Sequence, residues 1–181
     1  MNTRNYWIGV VSKAHAENAI AGGYAEVNHG KAGPLERMRD GDGFLFYSPR
    51  IGDRDGARVQ AFTAIGRVGA GPIFRVSADE ASAPFRRSVD YLPANDAPIR
   101  PLIESLSFLR SKIHWGAAFR FGFIRIPEAD FAQIATAMNE PALGEQRRQE
   151  AQVQVVVGHF VDDAKRARVE SLELFQISTG D

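Results

Sequence analysis

Four histidines, His15, His29, His114 and His159, are the first residues to ask about chemistry. None stands in an H-E-x-x-H spacing, which would put two imidazoles and a general base on one helix face. Cysteine is absent, and with it go thiolate zinc sites, disulfide frameworks and cysteine nucleophiles. No G-x-S-x-G elbow presents a serine nucleophile. The run Gly66-Arg67-Val68-Gly69-Ala70-Gly71 lacks the lysine of a phosphate loop and reads as a turn between strands. Asp40/Asp42 and Asp53/Asp55 fall in turn-like stretches, where aspartate serves the backbone. No constellation specifies a reaction, and no metal or cofactor is implied. His29 beside Lys31 is the nearest approach to an acid–base pair.

Binding chemistry is better represented. Tyr6-Trp7 is followed by Ser12-Lys13-x-His15, where a helix N-terminus offers unpaired N–H groups to an anion, or where Ser12 simply caps the helix. Asn28-His29-Gly30-Lys31 lines up amide, imidazole and ammonium donors in one turn. Trp115 precedes Phe119-Arg120-Phe121-Gly122-Phe123, which offers rings for base stacking and a guanidinium for phosphate if either face lines a cleft. At least two of Phe119, Phe121 and Phe123 are expected to serve the core instead.

These segments need elements to hold them. Tyr6 to Val11 reads as a buried strand, and Ser12 as the cap of a helix that Gly22-Gly23 ends. Tyr24 to Val27 reads as a short strand and Pro34 to Met38 as a helical turn. Phe44 to Tyr47 forms a strand that Ser48-Pro49 should break, and Val59 to Val68 a long one. Phe74–Val76 and Arg87–Leu92 are further strands, with helical turns near Pro98–Leu102 and Leu106–Leu109. Phe119 to Ile126 alternates as a half-buried strand. Pro127 then opens a helix whose apolar face is Phe131, Ile134, Ala135 and Met138. Many short strands with few short helices predict an α+β fold built on a curved sheet or barrel, not a doubly wound parallel sheet.

Hydrophobic residues make up 44% of the 181, enough for one proper core, and charged residues 24%. Lys+Arg and Asp+Glu are both 22, which gives no overall pull toward a polyanion. The balance is uneven locally: residues 86–125 hold 7 basic side chains, Arg87 among them, against 3 acidic. A polar start at Met1–Trp7 and no apolar run of about 18 residues predict a cytoplasmic protein without membrane attachment. The character changes after residue 140. Val153, Val155 and Val157 alternate as a strand that could pair across a homodimer, and 162–177 suits either helix or strand. The division expected is a main domain over 1–140 and an extension of unknown role over 141–181.

Taken in order, Tyr6-Trp7-Ile8-Gly9-Val10-Val11-Ser12-Lys13-x-His15, Asn28-His29-Gly30-Lys31-x-x-Pro34-Leu35-x-Arg37-Met38, Gly41-Asp42 and Phe46-Tyr47-Ser48-Pro49 resemble the start of bacterial EVE-domain proteins. Phe62 to Gly66, Arg86-Arg87, Ala97 to Leu102 and Trp115-Gly116-x-x-Phe119-Arg120-Phe121-Gly122 continue the resemblance over roughly residues 5–140. It implies a PUA-like barrel related to the YTH domain, and a non-catalytic reader of nucleic acid. Such a reader takes a modified base, a modified cytosine in DNA or a base in RNA, into an aromatic-walled pocket. On that reading Trp7, Tyr47 or Trp115 stack, Ser12, Asn28, Ser48 or backbone groups read base edges, and His29 and Phe119 are further ligand contacts. Lys13, Lys31, Arg87 and Arg120 then hold phosphate. A domain binding a nucleotide-like metabolite would use the same pocket, and is the alternative.

Overall fold

The computed structural model describes residues 4–52, 56–77 and 83–139. The strand expected at Val153–Val157, the element at 162–177 and the extension as a whole lie outside them. Strand β1 (Tyr6–Val10) alternates strictly between two interiors. Tyr6 and Ile8 belong to one apolar cluster and Trp7 to another. Strand β3 (Gly43–Arg50) does the same, sending Leu45 and Tyr47 one way and Phe44 and Phe46 the other. A sheet covered on both faces needs such unbroken apolar runs.

β1 and β3 pair in parallel, Tyr6 opposite Gly43 through Val10 opposite Tyr47. A parallel pair requires a crossover. Here it is helix α1 (Lys13–Gly22), strand β2 (Tyr24–Ala25), the turn at 28–31 and helix α2 (Ala32–Glu36). Strand β4 (Arg58–Val68) returns antiparallel on β3. Strands β5 (Phe74–Arg75), β6 (Phe85–Leu92) and β7 (Ala97–Pro98) follow, then β8 (Phe123–Ile126) and helix α3 (Glu128–Asn139). The sheet runs β2-β6-β4-β3-β1-β8, with β5 on β6 and β7 on β4. This is the expected α+β fold, a curled mixed PUA-like sheet with short flanking helices.

Ala16 and Ala19 of α1, Leu35 of α2 and Met38 close one face over Phe44, Phe46 and Phe123. Ile99, Leu106, Leu109, Phe119 and the α3 residues Ile134 and Met138 close the other. The segment joining β7 to β8 has little regular structure, so a side chain must anchor it. Asp130, buried at the start of α3, accepts from Ser107 N at 3.0 Å, Ser107 Oγ at 3.0 Å and Phe108 N at 2.8 Å.

Three expectations are corrected. Ser48-Pro49 does not stop β3, which continues to Arg50 because the ladder shifts register between Ser48 and Arg50 and so accommodates a residue with no N–H to donate. Phe119–Ile126 is not one strand: Trp115–Phe121 forms a 3-10 helix, Gly122 turns in the left-handed region at φ 72°, and only Phe123–Ile126 is extended. Leu106–Leu109 is turn and coil, not a helical turn of its own.

Candidate functional site

The end of β1 is clamped from two sides. Val10 N donates to Gly122 O at 2.8 Å, and Val11 N donates to Tyr47 O at 3.1 Å. Ser12 then caps α1, its Oγ accepting from His15 N at 3.3 Å. Across from this corner the crossover makes its tightest turn. Asn28, His29 and Gly30 stand consecutively in the left-handed region, at φ 48°, 60° and 73°. Such a conformation costs about 1 kcal/mol or more for a residue with a Cβ, and asparagine and histidine are among those that tolerate it. Gly122 fits against this turn because it has no side chain: a Cβ there would strike Asn28 Oδ1. The 28–31 turn and the 120–122 segment are thereby packed edge to edge.

Between them and the start of α1 opens a cleft of about 740 Å³, with Ser12, His15, Asn28, His29, Lys31 and Arg120 in its lining and Phe121 at its edge. Its polar groups are complementary in kind. The Asn28 amide donates and accepts, and Ser12 Oγ does both. His15 Nε2 lies 3.1 Å from Glu26 O, which only accepts, so Nε2 is the donor of that pair and Nδ1 is the other ring nitrogen. Among the described residues of the lining the acid is Glu26, and it is neutralised by Arg86, whose Nε lies 2.9 Å from Glu26 Oε2. Lys31 and Arg120 are exposed and enter no ion pair among the described residues. Among the described residues, the cleft therefore presents two uncompensated cations to solvent.

The other residues expected at a site are placed elsewhere. Trp7 is 6% exposed, stacks on Phe123 at 4.9 Å and donates its indole N–H to Asp42 at 2.8 Å. Asp42, itself buried, also accepts from the backbone of Asn5 and Arg39, so this tryptophan is a structural residue without an open face. Tyr47 is 2% exposed and stacked on Phe119 at 3.8 Å, and burial pushes its phenol pKa up to about 12. Ser48 is wholly buried, 2.7 Å from Thr63 Oγ1. Arg87 is buried and pairs with Asp40 at 2.6 Å. Lys13 bridges to Asp96 at 2.5 Å, and this hydrogen bond raises its pKa. Trp7 and Tyr47 thus do not line the cleft, whereas His29 and Phe121 do.

Trp115 lines a separate cleft of about 610 Å³, bounded by Phe108, Arg110, His114, Phe121 and Arg125. Phe121 is common to both clefts and is 78% exposed. His15 and Phe121 fall in two of the binding segments read from the sequence, but neither was among the expected ligand contacts. The signal for His15 was its place one turn into a helix whose cap it shares. That for Phe121 was its ring beside Arg120, which a strand reading made as suitable for the core. Among the described residues, no group of three or more His, Asp or Glu is placed to hold a metal ion. Nor is any helix among them long and apolar enough to cross a membrane.

The chain is similar to known proteins over its main domain. The model of the EVE domain matches residues 5–137. A UPF0310 protein of Mycolicibacterium gilvum is 44% identical over 132 residues, which is 73% of this chain and 94% of that protein. The UPF0310 protein msl3206 of Mesorhizobium japonicum is 44% identical over 140 residues, covering 75% and 93%. A third, YdcG of Bacillus subtilis, is 41% identical over 138 residues, covering 76% and 94%. Among solved structures, the Agrobacterium tumefaciens protein Atu2648 aligns with TM-score 0.41 and 16% identity over 76% of this chain and 99% of its own.

Proposed function

The chain belongs to the EVE-domain family, and from that premise we propose that it is a non-catalytic reader of nucleic acid that takes one modified base into the first cleft. The observation that carries this reading is the convergence of Ser12, Asn28, His29, Lys31 and Arg120, drawn from three separate segments, on one cavity. Ser12, Asn28 and His15 Nδ1 supply hydrogen bonds to base edges. Lys31 and Arg120, at the rim, hold the flanking phosphates. His29 and Phe121 offer rings against a base that has left its stack, which offsets the few kcal/mol lost on unstacking. The strained turn supports the same reading, since backbone strain is retained where a ligand needs a fixed set of donors.

The test is binding to matched oligonucleotides, single- and double-stranded, carrying cytosine, 5-methylcytosine, 5-hydroxymethylcytosine or N6-methyladenine at one position. Preference for one modified base is expected, reduced about tenfold or more in Asn28→Ala, as for a lost edge contact. Arg120→Ala should weaken all of the oligonucleotides alike. Absence of binding at low salt and micromolar protein would end the proposal. The alternative, a nucleotide-like metabolite, rests on the near-neutral total charge, and a free nucleotide binding as tightly as any oligonucleotide would favour it.

A further inference from the structure

The second cleft is unaccounted for by a reader that engages a single base. Residues 105–127 contain Arg110, Lys112, Arg120 and Arg125 and no acid, the flanking carboxylates being Glu104 and Glu128. Arg110, Arg120 and Arg125 are exposed and form no ion pair among the described residues, whereas Lys112 is spent on Leu106 O at 2.7 Å. Within this acid-free stretch the 3-10 helix from Trp115 to Phe121 places half-buried Trp115 in the second cleft and Arg120 in the first. Phe121, mostly exposed, stands between them and lines both. At ~2 Å per residue the helix spans about 12 Å, less than four stacked nucleotides at about 3.4 Å each.

We infer that the second cleft holds a nucleotide neighbouring the one read in the first, with Phe121 as the divider between two bases of one strand. Trp115 supplies the stacking surface for the neighbour, and Arg110 and Arg125 hold its phosphates. Two guanidiniums around a ring, neither in an ion pair among the described residues, suit a chain of phosphates and planar bases, and repel nothing in it. An exposed phenylalanine at a boundary between clefts fills the gap that a displaced base leaves in its own stack. The inference rests on the base-reading role of the first cleft and extends it from a single base to a short run of one strand.

A length series separates the two. Binding of a modified mononucleotide, a trinucleotide and a hexanucleotide, all carrying the same modified base, is measured for the native protein, for Arg110→Ser/Arg125→Ser and for Trp115→Ala. The native protein should gain about tenfold from mononucleotide to trinucleotide, the worth of one stacked base with its phosphates. The double variant changes exposed side chains only, so it should fold normally, bind the mononucleotide as before and lose most of that gain. Trp115 fluorescence should be quenched by the trinucleotide and not by the mononucleotide. If the gain persists in both variants, or the native protein shows none, the second cleft is not part of the path and the first-cleft reading stands alone. If neither mononucleotide nor oligonucleotide binds, the first-cleft reading has failed and the second falls with it.

Discussion

Gly122 does two things that another residue cannot do at once. It turns the chain at φ 72° out of the 3-10 helix, and it leaves room for the Asn28 carboxamide where a Cβ would stand. Gly122→Ala should therefore cost about 1–2 kcal/mol for the left-handed backbone alone. It should also push Asn28 out of the cleft, so that ligand binding falls further than stability does. Urea unfolding and a binding titration on one preparation check both, and equal losses would argue against the contact. Asn28 was legible in the sequence as one donor of a polar turn. Its left-handed backbone was not, because three successive positive φ angles are imposed by the packing of Gly30 on Pro84 and of Gly122 on Asn28. Asp42 was legible in part: it serves the backbone of Asn5 and Arg39 as a turn aspartate should, but it is also the buried acceptor that orients Trp7. A single aspartate in a glycine-rich turn carries no mark of which tryptophan it will meet.

At the scale of elements, the strands were legible because both faces of the sheet are covered. Ile8, Leu45 and Phe62 against Trp7, Phe44 and Phe46 give long apolar runs bounded by glycine and proline. The failure at 119–126 follows from the same rule. Aromatics two apart suggest a strand, but a 3-10 helix followed by a left-handed glycine also brings Phe119 and Phe123 inward. Only Phe121 distinguishes the two structures, because as a strand it would share the buried face of its neighbours. Phe119→Ala should then cost about 3–5 kcal/mol, since it removes the ring stacked on Tyr47, whereas Phe121→Ala should stay within about 0.5 kcal/mol. Chemical denaturation of the two variants measures this directly. Equal costs would mean that the segment is a strand after all. The binding residues inherit the error: once the segment is helical, Phe119 passes to the core and Phe121 to the clefts.

The buried phenols and the distribution of cations act on the molecule as a whole. Tyr6, Tyr47 and Tyr91 all have raised pKa values, burial being the largest cause in each, and for Tyr47 the value is about 12. An unfolded tyrosine ionises near 10, so below about pH 10 both states hold the proton and no stability is lost. Between about pH 10 and 12 the unfolded chain gains by ionising and the folded one does not, so stability falls with rising pH, by about 2–3 kcal/mol from Tyr47. Denaturant midpoints across that range should fall less steeply in Tyr47→Phe. Charge works at longer range. With Lys+Arg and Asp+Glu both 22, attraction to a polyanion must come from the cleft-facing cations and not from the molecule's mean field. If Lys31, Arg120, Arg110 and Arg125 are the phosphate contacts, single-strand affinity should fall with salt at a log–log slope of about −3, from ~0.7 counterions released per contact. Arg120→Ala should lower the slope by about 0.7 for any strand, and Arg110→Ser/Arg125→Ser only for strands long enough to reach the second cleft. The salt slope thus counts phosphate contacts one cleft at a time. A slope unchanged in both variants would place the phosphates on another face, and with them the strand that the two clefts are inferred to share.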